Sequence, residues 1–164
     1  MSEIKPLTLK RIAGDLRKFK KANPEHFKIY YDKNKPLEIN FILYGREDSP
    51  FRGGEYLGKI SHSPDYPLKP PDYYMYTPNG RFHTNKKICL TNSGYHPSDW
   101  APAAWNLVTL LEGLSSVWHS SVAEDKRGIG HLHSIPSEIE AMAQESIKFN
   151  NTNYKDLIDK IKSF

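Results

Sequence analysis

The chain has 164 residues, a formal net charge of +4 and a single cysteine. Its length suits one domain with a core of its own, so we expect residues 1–164 to form a single domain. One cysteine excludes an intramolecular disulfide framework and a zinc site built from several thiolates. The sequence has no run of roughly 20 apolar residues that could span a membrane, and we expect a protein of a reducing, cytoplasmic compartment.

Apolar residues at helical spacing predict a first helix over residues 7–21, with Lys and Arg on its outer face. The stretch KPLEINFILYG alternates apolar and other residues, which predicts a strand with one buried face. A loop follows in which Gly53-Gly54 is expected to make a tight turn. EYLGKISH and DYYMY predict two more strands, and the proline-rich SPDYPLKPP between them is not expected to be a regular element.

The stretch of residues 76–102 shows neither helical nor strand periodicity. So long an irregular stretch inside a compact domain is usually functional or disordered. Its aromatic residues and the apolar neighbours of Cys89, in the sequence ICL, argue against disorder. Trp100 and the nearby Trp105 are expected to pack in the core.

Three helices are predicted after this stretch. Residues 103–118 form an apolar helical pattern, and Pro136 opens a second helix in which Ser137 and Glu140 are spaced as a capping box. The last residues, NTNYKDLIDKIKSF, predict a short amphipathic helix. Because no helix separates the strands, the order predicts an α+β fold in which an antiparallel β-meander packs against helices.

The lone thiol of Cys89 allows two kinds of nucleophilic chemistry. A cysteine protease would need a base such as His96 and an orienting amide such as Asn79 or Asn92, but its usual local signatures are missing. Acyl transfer through a thioester on Cys89 needs a fixed amide donor for the developing oxyanion. Asn79 fits that need, because Pro78 before it stiffens the turn. A small buried cysteine without chemistry is the third possibility.

The motifs, taken in order, resemble those of the ubiquitin-conjugating enzymes. They are LKRI in the first helix, SPFRGGEYLGKI, DYPLKPP, a Pro-Asn turn, ICL, and a Trp-x-Pro before an apolar helix. The resemblance covers nearly the whole chain. It implies the ubiquitin-conjugating (UBC) fold, an antiparallel β-meander packed against an N-terminal helix, a central helix and C-terminal helices.

Two departures from most of that family resemble its endoplasmic-reticulum tail-anchored branch, the J type. Thr77 stands where most members have His before Pro-Asn, and the loop from Asn79 to Cys89 is longer. The pattern TPNGRF…ICL…HPxxWxP and the later ESIKFN also resemble that branch. Members of that branch carry a C-terminal membrane anchor on the cytosolic face of the endoplasmic reticulum, and this sequence has none up to Phe164.

The resemblance implies roles for residues at matching positions. Cys89 would hold the ubiquitin thioester, and Asn79 would stabilise either the oxyanion or the loop that bears Cys89. Tyr76 matches an aromatic residue beside the incoming nucleophile. The acidic residue that orients or deprotonates the acceptor amine would be Glu124 or Asp125.

His96 has two interpretations. Followed by proline, it can be part of a simple turn. Alternatively it can act as a base for a hydroxyl acceptor, since J-type members modify Ser and Thr as well as Lys.

The partners implied are ubiquitin, the ubiquitin-activating enzyme, RING-type ligases and protein substrates. Lys10 and Arg11 would face the activating enzyme, where opposite charge speeds association. Four residues match the two loops that dock ligases, and Leu68 among them stands where many members have Phe: Pro67, Leu68, Pro102 and Ala103. No cofactor, metal or nucleic acid is implied.

Three other functions are weighed against this one. A non-catalytic UBC variant would be a binding module, but such variants lack the cysteine. A nucleic-acid binder could use the basic first helix, and its affinity would then depend strongly on salt. A zinc site at His131 and His133 would need a second pair of ligands, and no well-spaced pair exists.

Overall fold

A computed structural model describes residues 3–88, 100–120 and 131–164 of the chain. Within these ranges four helices and four strands occur in the order α1 (Pro6–Ala22), β1 (Phe27–Tyr31), β2 (Glu38–Tyr44), β3 (Glu55–Ser61), β4 (Asp72–Met75), α2 (Leu107–His119), α3 (Pro136–Asn153) and α4 (Lys155–Ser163). None of these helices is long and apolar enough to cross a membrane.

The four strands form one antiparallel sheet in the order β1-β2-β3-β4. Phe41 of β2 lies opposite Ile29 of β1 on one side and Gly58 of β3 on the other. The predicted α+β meander is confirmed. Strand β1 is not among the predicted elements, because its FKIYY pattern is five residues long and only partly buried.

The sheet is covered on both faces. Ile39, Phe41 and Leu43 of β2 belong to the main core, which also includes Ile12 of α1 and Leu110 of α2. A second, smaller cluster lies on the other face, where α4 packs on the sheet and buries the following apolar residues: Ile42, Leu57, Ile158 and Ile161. Both faces of β2 are therefore buried, which explains the run of apolar residues in INFIL.

The start of α2 differs from the predicted one. The helix begins at Leu107 rather than near residue 103, because Asn106 and Thr109 form a reciprocal cap. The Asn106 side chain accepts from Thr109 N (3.2 Å), and Thr109 Oγ1 accepts from Asn106 N (2.8 Å). These two bonds satisfy backbone donors that the first turn of a helix leaves open.

The capping box predicted at Ser137 and Glu140 is wrong. Pro136 is the first residue of α3, and Ile135 occupies the cap position without a side-chain hydrogen bond. Ser137 already lies inside the helix. Proline at the first helical position needs no partner for its missing N–H, so this end does not depend on a polar cap.

The loop between β2 and β3 is held to the end of α2 by His119. The Nε2 atom of His119 accepts from Arg46 N (3.2 Å), and its Nδ1–H donates to Ser115 O (2.9 Å). These partners require the neutral imidazole, and burial lowers the pKa of His119. Gly53 closes the loop with a positive φ of 76°, as the predicted tight turn requires.

His62 makes the stability of the fold sensitive to acid. Its ring is buried against Tyr66, its Nδ1–H donates to Leu37 O (2.9 Å), and burial lowers its pKa from 6.5 to about 4. In the unfolded chain His62 has the higher pKa and binds a proton first as the pH falls. The free energy of unfolding is therefore highest above pH 6.5, where His62 is neutral in both states, and it decreases as the pH falls toward 4. We expect His62 alone to lower the free energy of unfolding by about 3 kcal/mol over this window.

Urea denaturation of the wild type and of His62→Leu at several pH values between 7 and 4 tests this expectation. In the variant the Leu37 carbonyl keeps the backbone N–H of residue 62 as a donor (2.8 Å), so the change removes the titrating group at little cost in hydrogen bonding. The slope of the free energy of unfolding against pH reports the number of protons taken up on unfolding. We expect this number to be smaller by about one in the variant. The same slope in both proteins would contradict the assignment.

Candidate active site

Asn79 holds the turn that follows β4. Its side chain is 1% exposed, and its Nδ2 donates to Thr77 O (2.9 Å). Its Oδ1 accepts from Arg81 N (2.8 Å) and Phe82 N (2.7 Å). Both ends of the amide are thus used inside the turn. In this structure Asn79 is placed to fix the backbone of residues 77–82.

Gly80 allows this turn to lie close to the start of α3. Its φ is +82°, a conformation that side chains with a Cβ rarely adopt. A Cβ added there would lie 3.1 Å from the Ile139 side chain and 3.2 Å from Ser134. The turn therefore depends on glycine for its conformation and for its close packing.

Thr77, the residue that departs from the usual His, is fully buried. Its Oγ1 accepts from Leu57 N (2.9 Å) and donates to Asn150 Oδ1 of α3 (2.5 Å). The neighbouring backbone bond runs from Tyr76 N to Leu57 O (2.8 Å). The Thr77 hydroxyl therefore supplies the acceptor for β3 at the point where β4 has ended.

The chain after the turn returns along β4. Asn85 N donates to Met75 O (2.8 Å), Thr84 pairs with Met75, and Ile88 N donates to Tyr73 O (3.1 Å). Ile88 is fully buried. The backbone is thus held against the sheet up to the residue before Cys89.

Four of the residues predicted for catalysis lie outside the described residues: Cys89, His96, Glu124 and Asp125. Their predicted roles are not tested by the structure. Among the described residues, no three His, Cys, Asp or Glu side chains are grouped as a metal site requires.

Tyr76 lies on a different side of the sheet from the residues that form the turn. It packs with the small cluster under α4 and stacks on Tyr154, with ring centroids 5.4 Å apart. Burial raises the pKa of its phenol. Met75 next to it and Phe82 of the turn belong to the main core on the other face of the sheet. The structure therefore separates the Tyr76 side chain from the Asn79 turn.

The two predicted ligase-facing loops are joined by Trp100. Its indole N–H donates to Pro67 O (2.7 Å), and its ring stacks on Trp105 with centroids 6.5 Å apart. Leu68 is 68% exposed, and Ala103 is exposed as well. The predicted packing role of the two tryptophans is confirmed, and the structure brings the two loops together as one surface.

Lys10 and Arg11 differ in what they can offer to a partner. Lys10 is exposed, whereas the Arg11 guanidinium donates to Pro102 O (3.0 Å), to Trp105 O and to Asp15 Oδ1 (3.1 Å). Arg11 thus joins α1 to the second of the loops predicted to face a ligase.

Asp15, which the sequence analysis did not single out, completes this connection. Its buried carboxylate also accepts a hydrogen bond from the hydroxyl of Tyr66, the residue before Pro67. One buried carboxylate therefore contacts side chains that lead to both loops. The only sequence signal for this role is the spacing of Arg11 and Asp15, which are four residues apart on a helix.

The sequence profile described as "Ubiquitin-conjugating enzyme" matches residues 11–146. This chain belongs to the ubiquitin-conjugating enzyme family. The match includes the Asn79 turn, the ICL sequence and both loops joined by Trp100. The resemblance stated from the motifs is thereby confirmed, together with the UBC fold.

Curated relatives agree with the J-type branch. The probable ubiquitin-conjugating enzyme E2 33 of Arabidopsis thaliana is 38% identical over 87% of this chain and 56% of its own length. The ubiquitin-conjugating enzyme E2 J2 of Mus musculus is 37% identical over 70% of this chain and 42% of its own length. The E2 J2-like protein of Dictyostelium discoideum is 31% identical over 87% and 81%. The chain spans about half the length of the first two relatives.

We expect Asn79→Ala to lower the free energy of unfolding by about 2–4 kcal/mol, because it leaves two buried backbone N–H groups without an acceptor. These are the N–H groups of Arg81 and Phe82. Urea denaturation measures the change. Asn153→Ala is the control, since its exposed side chain donates to Phe149 O within α3, and we expect an effect within about 0.5 kcal/mol. Equal stability of Asn79→Ala and the control would show that the turn does not depend on Asn79.

Proposed function

We propose that this chain accepts ubiquitin from the activating enzyme as a thioester on Cys89 and transfers it to Lys of protein substrates, with Ser and Thr as further acceptors. The observation that carries the proposal is that the family match includes the single cysteine, in the sequence ICL. The buried and hydrogen-bonded Ile88 and the hydrogen-bonded Asn79 turn precede this cysteine and support the proposal. None of the findings favours the non-catalytic variant.

The proposed reaction has two acyl-transfer steps. First the Cys89 thiolate attacks the thioester carbonyl that the activating enzyme presents, forming a new C–S bond and releasing the enzyme's thiolate. Then the acceptor amine attacks the same carbonyl, an amide bond forms, and the Cys89 thiolate leaves while the amine loses a proton. Glu124 or Asp125 is proposed to orient or deprotonate this amine. His96 is proposed to take the proton of a hydroxyl acceptor.

Of the two roles open to Asn79, we propose that the main one is to hold the loop that leads toward Cys89. The side chain is buried, its oxygen accepts two backbone bonds, and its nitrogen already donates to Thr77 O. An oxyanion donor would have to point out of the turn. Tyr76 is proposed to act only as a packing residue near the end of β4, because its ring lies against Tyr154.

The partner surfaces are proposed from exposure and charge. Lys10 lies exposed on the basic face of α1. We propose that its partner is the activating enzyme and not a nucleic acid. The surface formed by Pro67, Leu68, Pro102 and Ala103 is proposed to dock RING-type ligases. Arg11 is proposed to contribute by holding the loop at Pro102 in place rather than by direct contact.

We also propose that residues 1–164 act as one domain. Helix α1 and helix α2 share the main core, and α3 and α4 pack on the same sheet. A reducing, cytoplasmic compartment is proposed because the reaction needs a free thiol at Cys89.

Incubation with activating enzyme, ATP and ubiquitin tests the main proposal. We expect the wild type to form an adduct with ubiquitin that a thiol reductant removes, because a thioester exchanges with thiols. Cys89→Ser is expected to give an adduct that resists the reductant, or none. If the wild type forms no such adduct under conditions that charge a known family member, the proposal is wrong.

Leu68→Asp tests the ligase-facing surface. A charge on this exposed apolar side chain opposes burial at an interface. We expect the ratio of ligase-stimulated to ligase-free discharge to fall at least about tenfold, equivalent to about 1.4 kcal/mol of binding. Ile147→Asp is the matched control, since Ile147 is an exposed apolar residue (41%) on α3. A similar fall in both variants would argue against a docking role for Leu68.

A further inference from the structure

The motif ESIKFN places two polar residues on the buried face of α3. Ser146 and Asn150 are four residues apart, so they lie on the same side of the helix, and they are 1% and 2% exposed. Buried polar side chains destabilise a fold unless they are hydrogen-bonded. Their partners therefore show what this face of the helix does.

Both side chains bind the first residue of β3. Ser146 Oγ accepts from Glu55 N (3.0 Å), and Asn150 Nδ2 donates to Glu55 O (2.8 Å). Ser146 Oγ also donates to Ala143 O (2.7 Å), so its hydroxyl is satisfied on both sides. The helix thus offers the backbone of Glu55 one acceptor and one donor, as a neighbouring strand would.

The remaining atom of Asn150 binds the turn. Its Oδ1 accepts the hydroxyl proton of Thr77 (2.5 Å), which directs the Thr77 oxygen to accept from Leu57 N (2.9 Å). The carbonyl of the same Thr77 is the acceptor for Asn79 Nδ2. A continuous set of hydrogen bonds therefore runs from α3 through Thr77 to Asn79.

We propose that Asn150 is a positioning residue for ubiquitin transfer, acting through Thr77 to hold the Asn79 turn. The inference rests on the proposed function, since it names a residue that supports the same site. It accounts for two sequence features together. The hydroxyl of Thr77 and the amide of Asn150 are complementary partners, so the unusual residue before Pro78 and the ESIKFN motif form one hydrogen-bonded unit.

The geometry explains why a hydroxyl is needed at position 77. Beyond Met75 the backbone still donates to Leu57 O from Tyr76 N, but the acceptor for Leu57 N is the Thr77 side chain. A group at this site must accept from Leu57 N and donate to Asn150 Oδ1 at the same time. A hydroxyl does both, and valine, which has the same shape, does neither.

Single-turnover discharge of the Cys89–ubiquitin thioester to free lysine tests the proposal, with the thioester loaded to the same level in each variant. We expect Thr77→Val and Asn150→Leu each to lower the maximal rate about tenfold with an unchanged half-saturating lysine concentration, because small misplacements of a site are costly. Thr77→Ser keeps the hydroxyl and is expected to retain most of the rate. The effect of the double variant Thr77→Val/Asn150→Leu is expected to be smaller than the sum of the single effects, since both substitutions remove the Thr77–Asn150 hydrogen bond and each removes one further bond of its own. Lys148→Ala, on the exposed face of the same helix, is the control.

Amide hydrogen exchange gives a second readout that does not need activity. The N–H groups of Arg81 and Phe82 bind Asn79 Oδ1, so we expect their protection to fall about tenfold in Asn150→Leu and to be unchanged in the control. If Thr77→Val fails to fold, Asn150→Ala carries both measurements, because it also removes the acceptor of the Thr77 hydroxyl.

The proposal would be overturned by additive effects in the double variant, by a Thr77→Ser rate as low as that of Thr77→Val, or by unchanged protection of both amides. A wild type that takes up no ubiquitin would instead defeat the proposed function. Exchange at Arg81 and Phe82 would still show whether Asn150 holds the turn.

Discussion

Strand β4 ends at Met75, and near this end several buried backbone groups find their hydrogen-bond partners in side chains. Leu57 N binds the Thr77 hydroxyl, the N–H groups of Arg81 and Phe82 bind the Asn79 amide, and both backbone groups of Glu55 bind α3. A buried backbone group left without a partner costs free energy, so each of these polar residues is required by the path of the chain. Next to the candidate active site, side chains thus supply hydrogen bonds that no neighbouring backbone group makes.

The same principle applies to the surface formed by the two predicted ligase-facing loops. Trp100 donates to the backbone of Pro67, and Arg11 donates to the backbone of Pro102. In each loop a long side chain from another part of the chain donates to a backbone carbonyl. Apolar side chains of the loops face the solvent. The exposed Leu68 is presented by a loop whose own backbone is anchored below it.

The fold was predictable to the extent that its elements repeat a simple pattern. Helix α1 and strand β2 have clear apolar periodicity, and β3 and β4 were predicted from short apolar and aromatic stretches. In contrast, β1 is short, and the start of α2 is fixed by a cap that periodicity does not show. The choice of Asn79 as a site residue came from its chemistry and from a family resemblance.

The contacts between the site residues could not be predicted from the sequence. Nothing in the chain order indicates that residue 150 would meet residue 77, because the two lie on elements that pack only in the folded protein. Arg11 shows the same limit. A basic residue on an amphipathic helix predicts an exposed charge, and only the packing of α1 on the 102–105 segment turns it toward backbone carbonyls.

The hydrogen bonds of the Asn79 side chain have a consequence for the conformational entropy of the proposed reaction. Because its three hydrogen bonds are made within residues 77–82, the turn is already ordered before any partner arrives. The loss of conformational entropy belongs to folding and would not be repeated in each cycle of the proposed reaction. Fewer contacts with ubiquitin and with an acceptor would then suffice for a given affinity.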